Sequence, residues 1–301
     1  MDFKSLIGVV LVVLIWGLNF SVIKFGLEEI PPILFSGLRF LVVAIPAVFF
    51  IPFPKTSIWN VLGVGVFLGV LKFSFLFVAM ESDVSAGLSS LLLQAQVVFT
   101  ILLSVLLWKE SLNRFQLFGM VLACIGFSFF FYTAGGNATT LGITLILCAA
   151  GFWSVSNLIM KRMGDVNLLH FMVWVSLIPP IPLFLVSWHF ETNQPVSLLL
   201  ATTEKSWLSL LYVSYISTLA AFALWGWLLK NYPTAVVTPF ALLIPVVGIV
   251  GSSLLLNEQL SNLEMLGGAL ILFGLSASVL GSRLYTFISQ RIKLKGVTQR
   301  L

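Results

Sequence analysis

Lys72 stands inside an otherwise apolar stretch, and of all the residues it most demands a chemical reason. An ammonium at the centre of a bilayer costs about 2.5–3.5 kcal/mol on insertion scales, so a lipid-facing position would be wasteful. A wet cavity would let it meet a carboxylate or change protonation. Otherwise it snorkels outward or pairs with Glu81 or Asp83. Two further sets share a spacing: Trp16 and Lys24 are eight apart, as are Trp153 and Lys161, with Asn19 and Asn157 three and four residues after their Trp. Trp and Asn on one helical face, deep in an apolar run, are not an interfacial belt. They suit a site needing an aromatic wall and a hydrogen-bonding amide. Lys24 and Lys161 fall near the ends of their runs and read as anchors.

Polar stripes complete the set. Ser85, Ser89, Gln96, Thr100 and Ser104 lie within about 100° of arc at helical spacing, while Gln94 points nearly the opposite way. Thr238, Ala241, Pro245, Gly248 and Ser252 form a second stripe, and Ser214, Ser217, Thr218, Ala221 and Trp225 a third. Small residues also let helices pack closely in lipid, but Gln96 is bulkier and more polar than packing needs. The candidate substrate-binding residues are therefore Trp16, Asn19, Lys72, Gln96, Trp153, Asn157, Trp225 and Pro245. Arg39, about a turn and a half into the second apolar segment, suits helix-end carbonyls or Glu28 and Glu29. Cys124 and Cys148 sit inside apolar runs and read as packed small residues.

The acids argue by position. All eleven fall in or beside expected loops, and His170 and His189 lie near helix ends. That speaks against an intramembrane carboxylate relay and against a metal site, which needs clustered ligands. No Ser/His/Asp set, acid pair or phosphate-binding glycine loop is present, so neither an enzyme nor a cofactor is expected. Glu110 and Glu258 each open a short polar turn and would cap the next helix, where the dipole favours negative charge.

The elements that carry these residues emerge from composition. The 301 residues are 59% hydrophobic and 9% charged, with a mean hydropathy of +1.08, whereas a soluble domain carries about 25% charge. The expected fold is all-α and polytopic. Runs of roughly 20 apolar residues place ten membrane helices, at 5–25, 32–51, 57–80, 84–108, 113–132, 139–160, 168–188, 206–230, 235–256 and 262–282. The first run lacks a cleavage site and reads as a retained helix. The +5 charge is spread over short loops and the tail, which fits membrane topology rather than nucleic acid. Lys/Arg bias puts both termini in the cytoplasm, twelve basic residues against two, with the basic tail 283–301 touching anionic headgroups.

An internal repeat organises the whole. Shifted by 148 positions, Glu110 falls on Glu258, Leu112 on Leu260, Gly119 on Gly267 and Gly126 on Gly274. Two halves of five helices, 5–132 and 139–282, must enter the membrane in opposite senses because five is odd. Such inverted repeats build secondary transporters with a site near the midplane.

The residues carrying Trp16-Gly17-Leu18-Asn19-Phe20, Leu93-Gln94-Ala95-Gln96, Pro245-Val246-Val247-Gly248, Glu258 and Leu266-Gly267-Gly268 resemble the EamA family of the drug/metabolite transporter superfamily, over nearly the whole chain. Within the family the chain looks most like bacterial inner-membrane exporters of cysteine and O-acetylserine. The resemblance implies ten helices in pseudo-two-fold symmetry and efflux of small amino acids or related metabolites by alternating access. It also implies a central cavity among the first, third, fourth, sixth, eighth and ninth helices. Broader export of metabolites or aromatic compounds is the alternative, and a non-transporting membrane receptor a more distant one. Expected partners are the substrate, lipid and protons as candidate coupling ion, in a monomer or homodimer. Lys72 departs from the resemblance, which leads one to expect a neutral polar residue there.

Overall fold

The structure, a computed structural model, describes the backbone of residues 1–298 and the side chains of residues 1–281 apart from Ala235. The expected headgroup contacts of the tail, 283–301, fall outside the described side chains. Among the described residues the chain is helical, with no strand beyond one antiparallel bridge between Val84 and Ala138. In chain order the long segments are α1 (Phe3–Leu27), α2 (Pro32–Ala47), α3 (Ile58–Ser82), α4 (Ala86–Trp108), α5 (Arg114–Tyr132), α6 (Thr140–Arg162), α7 (Leu168–Phe190), α8 (Glu204–Asn231), α9 (Thr238–Leu256) and α10 (Asn262–Gly281). Among the described residues nine of these, all but α2, are long and apolar enough to cross a membrane.

The segment expected over 32–51 is shorter than its apolar run. Pro46 has no N–H to give, Ile45 leaves helical geometry (φ −108°, ψ 119°), and α2 stops at 16 residues. At 1.5 Å per residue that is about 24 Å, against about 30 Å of hydrocarbon.

Large apolar side chains, among them Phe49, Trp59, Leu106, Tyr132, Leu200 and Leu254, face outward, a surface that lipid covers and water would not tolerate. Cys124 and Cys148 also lie on outward faces, a correction to the reading that packs them.

α5 and α10 meet along glycines. A Cβ on Gly119 would lie 2.2 Å from the Gly274 carbonyl oxygen, and one on Gly274 2.5 Å from that of Gly119. Gly126 and Gly267 oppose each other in the same way, at 2.7 and 3.0 Å. Backbones this close admit no side chain, the small-residue route to helix association in lipid. α4 and α9 also end alike, each in a left-handed residue: Lys109 (φ 54°) and Asn257 (φ 56°).

One face of the bundle is stitched together by carboxylates at helix starts. Glu191, just after α7, accepts from Ile33 and Leu34 N–H at 2.6 and 2.9 Å. Glu258, just after α9, accepts from Ala86 and Gly87 N–H at 2.8 and 3.0 Å. Asp83 accepts from the hydroxyl of Thr139, the N-cap of α6, at 2.7 Å. Glu29 accepts from Thr203 N–H and Oγ1, both at 2.9 Å, and from Ser206 Oγ at 2.7 Å, where α8 begins. Glu264 accepts from Ser261 N–H at 2.7 Å at the start of α10. Each satisfies orphan donors or fixes a cap at the positive end of a helix dipole. Lys24 adds bonds to the carbonyls of Met80 and Glu81 at the end of α3.

Two expectations need correction here. Glu258 caps α4, not the helix next in the chain, because Ser261 and Glu264 already serve the start of α10. Glu110 pairs with Lys161 at 2.7 Å, since Asn113 and Gln116 form a capping box on α5.

The bonds from Ser206 and Thr203 hold the Glu29 carboxyl below its ordinary value of 4.5. A depressed folded value means that Glu29 stabilises fully above the unfolded value and stops doing so as pH falls through the folded one. In thermal unfolding of detergent-solubilised protein, Glu29→Gln is expected to lower the midpoint at pH 7. That gap should close in acid below the carboxylate range; a gap independent of pH would contradict the assignment.

Candidate functional site

Regular helices would point their polar groups elsewhere, so the local departures from α geometry explain the site. In α3, Gly65–Lys72 winds as π-helix, and in α8, Tyr212–Ala220 does the same. Wider turns rotate the residues beyond them and recur at functional sites. In α3 the turn is shaped by contact: a Cβ on Gly69 would lie 2.2 Å from Pro179 Cγ and one on Gly65 2.6 Å from Ile178 Cβ. In α8 the Thr218 hydroxyl donates to the Val213 carbonyl, five residues back, at 2.9 Å. α4 tightens instead. Gln94, Gln96 and Val97 N–H each donate to the carbonyl three residues earlier, dividing α4 into Ala86–Leu92 and Ala95–Trp108. α9 opens with a 3-10 turn, Thr238–Leu243.

These segments enclose a cavity of about 470 Å³, the size of a small-metabolite pocket. Its walls come from α1 to α4 and from α6 to α9, so α2 and α7 join the six helices that the resemblance implied. The wall includes Met160, near the end of α6, and the first residues of α7 and α9, Leu168 and Thr238. The cavity thus runs from the bundle interior toward the face opposite the carboxylate stitching. At that opposite face the helix caps are mostly local: Asp2, Ser57, Asn113 and Asn167 each accept from a residue two or three positions on.

Seven of the eight candidate residues line this one cavity: Trp16, Asn19, Lys72, Gln96, Trp153, Asn157 and Trp225. Asn157 Nδ2 donates to Gln96 Oε1 at 2.6 Å and to Thr100 Oγ1 at 3.2 Å, joining α6 to α4. Trp16 Nε1 donates to the Ser217 carbonyl at 3.0 Å, and its ring lies 5.2 Å from Phe222 and 5.3 Å from Trp225. Lys72 Nζ stands 3.4 Å from the Phe73 ring centre and 4.8 Å from that of Trp153. Neither Glu81 nor Asp83 pairs with it among the described residues. Asn19 Oδ1 is buried without a hydrogen-bond partner.

Pro245 is the exception. It is buried within α9 behind the wall, its carbonyl 3.5 Å from Ser90 Oγ, in the seam where Gly248 packs on Ser90. Gln94 corrects the stripe: it lines the cavity together with Gln96, because the tight turn breaks the 100° period between them. Arg39 is the residue that sequence reasoning misplaces. It contacts neither Glu28 nor Glu29. It is 3% exposed, donates from Nη2 to Thr218 Oγ1 at 2.8 Å, lies 4.1 Å from the Phe73 ring and lines the cavity. The missed signal is Pro46: a helix stopping there makes Arg39 its middle rather than its end.

The chain matches the model of the EamA-like transporter family twice, over residues 3–132 and 140–280. The chain belongs to that family. A relative from Escherichia coli (strain K12), named a probable amino-acid metabolite efflux pump, is 39% identical over 94% of this chain and 97% of its own length. Its namesake from Salmonella typhimurium is 40% identical over 91% of this chain and 94% of its own. A chain of known crystal structure, 18% identical, superposes with a TM-score of 0.61 over 95% of this chain and 99% of its own, and shows the shared fold alone.

In this family member the amide pair is a paired commitment. Asn157→Leu removes the partner of the part-buried Gln96 carbonyl and is expected to cost about 0.5–1.5 kcal/mol of stability. Gln96→Met added to Asn157→Leu should recover part of that in thermal unfolding. Additive losses would show the two amides to be independent.

Proposed function

We propose that the protein is an inner-membrane secondary transporter that exports small amino acids or related metabolites by alternating access. The observation that carries the reading is the cavity: largely apolar and aromatic with a few polar side chains among them, and enclosed by helices of both halves. The names of the Escherichia coli and Salmonella typhimurium relatives supply the substrate class. The task is transport rather than catalysis, with Trp16, Asn19, Lys72, Gln96, Trp153, Asn157 and Trp225 binding the cargo. The Trp16, Phe222 and Trp225 rings offer an apolar wall, which favours cargo with some apolar surface.

The same reading makes α2 a tenth span and the halves inverted repeats. Several pairings support it. Lys109 and Asn257, equivalent under the 148-residue shift, share left-handed geometry. The third helix of each half carries a π segment. Gly119 opposes Gly274 and Gly126 opposes Gly267, the reciprocity of a two-fold contact. With both termini in the cytoplasm, the open face is the inner one and the carboxylate face the outer.

Reconstituted protein in liposomes tests the function. Preloaded amino acids should leave faster than from empty-vesicle controls, and imposing a pH gradient should show whether protons couple. No flux of any amino acid or derivative would defeat the proposal. For orientation, single cysteines at Thr238 and at Ser85 in a background lacking Cys124 and Cys148 should react with an impermeant thiol reagent from opposite sides of the membrane. Thr238→Cys should react from the cytoplasm, and labelling of it from outside would reverse the topology.

A further inference from the structure

The cavity holds more positive charge than its walls balance. Lys72 is 5% exposed and Arg39 3% exposed, and both line it. Their charged groups lean on the same ring, that of Phe73, at 3.4 and 4.1 Å from its centre. Arg39 commits Nη2 to Thr218, but its Nε and Nη1 are buried with no acceptor. Lys72 makes no hydrogen bond or ion pair among the described residues, and no Asp or Glu is among the residues lining the cavity. Ion pairs form instead at half-exposed positions, Lys161 with Glu110 and Lys205 with Glu28. Ring faces return only part of what desolvated cations lose, and a buried charge without a counter-charge is strongly unfavourable.

We propose that Lys72 and Arg39 form a site for two acid groups, so that the preferred cargo is a small dicarboxylate of net negative charge, an acidic amino acid or its amine-free analogue. The inference rests on the transporter reading above and narrows its substrate class. Lys72 meets one carboxylate as a point charge. Arg39 keeps the hydrogens of Nε and Nη1 and the second hydrogen of Nη2, which beside either of them completes a planar fork that a carboxylate matches with two parallel bonds. A neutral zwitterion would give two cations one carboxylate and add a third cation. An acidic amino acid brings a carboxylate for each, and its ammonium has Asn19 Oδ1, which is unpaired, and the faces of Trp16 and Trp225 in the same cavity.

Matched cargoes differing in charge test this with the wild-type chain. Liposomes holding the full-length protein are loaded with radiolabelled glutamine, glutamate or glutarate, which carry net charges of 0, −1 and −2. Glutamate and glutarate are expected to leave with a kcat/KM at least about tenfold above that of glutamine. Arg39→Gln and Lys72→Gln should each collapse the glutamate-to-glutamine ratio toward one, while Lys72→Arg preserves a preference for acid cargo. Glutamine moving as fast as glutamate in the wild type, or the ratio surviving in a monodisperse Arg39→Gln protein, would overturn the charge inference and leave the exporter standing. Absence of flux for every amino acid and derivative would sink both. The wild-type series decides the matter even where a variant fails to fold.

Discussion

A helix that begins at a membrane surface leaves N–H groups without partners, and lipid offers none. At one face of this protein the starts of α2, α4, α6, α8 and α10 are each met by a carboxylate. Four of these acids come from elsewhere in the chain, Glu191, Glu258, Asp83 and Glu29, and the last is Glu264 in the first turn of α10 itself. Because most of them bridge distant segments, satisfying the backbone also ties the helix ends into a closed layer. The opposite face satisfies its starts mainly with neighbouring residues, which tie nothing together. The two faces therefore differ in how far their helix ends are tied to one another, and the cavity lining extends to the first residues of α7 and α9 at the face with the fewer ties.

The interior polar groups obey a second rule. A cavity among apolar helices needs side chains turned inward that a regular helix would scatter, and the chain turns them by changing helix type. π turns in α3 and α8 bring Lys72 to the wall and Thr218 to Arg39, and the tight turn in α4 brings Gln94 beside Gln96. Glycines at Gly65 and Gly69 make the first of these turns possible by letting Ile178 and Pro179 approach. Energetic cost at the turns is thus coupled directly to where the cavity is polar.

Most of the candidate site is legible in the sequence because it rests on simple costs. A Lys in an apolar run must face something wet, and Trp–Asn spacing repeated in two runs marks two equivalent faces; both arguments place their residues on the cavity. The arguments that fail are those that assume uniform helices. Carrying 100° per residue through a break sends Gln94 to the far side. An apolar run that outlasts its helix by several residues puts Arg39 at a helix end. Pro245 belongs to a small-residue stripe whose first residues, Thr238 and Ala241, line the cavity and whose later ones pack on Ser90 and Gly17, a division that composition alone does not make. Glu258 does cap a helix, but its target lies across the bundle, and sequence spacing carries no information about that.

The repeat-related acids show how one sequence pattern yields two faces. Glu110 and Glu258 both come directly after a left-handed residue at the end of a helix. Glu258 reaches across to the N–H groups opening α4; Glu110 remains on the half-exposed Lys161. Both partners thus lie in the opposite half, but Glu258 takes backbone N–H groups at a helix start while Glu110 takes a half-exposed ion pair of the kind worth little in water. The α5–α10 seam, with its reciprocal glycines, shows no such difference, since Gly119–Gly274 and Gly126–Gly267 are equivalent contacts. The seam is thus the part in which the two repeats match, and the two glutamates mark the part in which they differ.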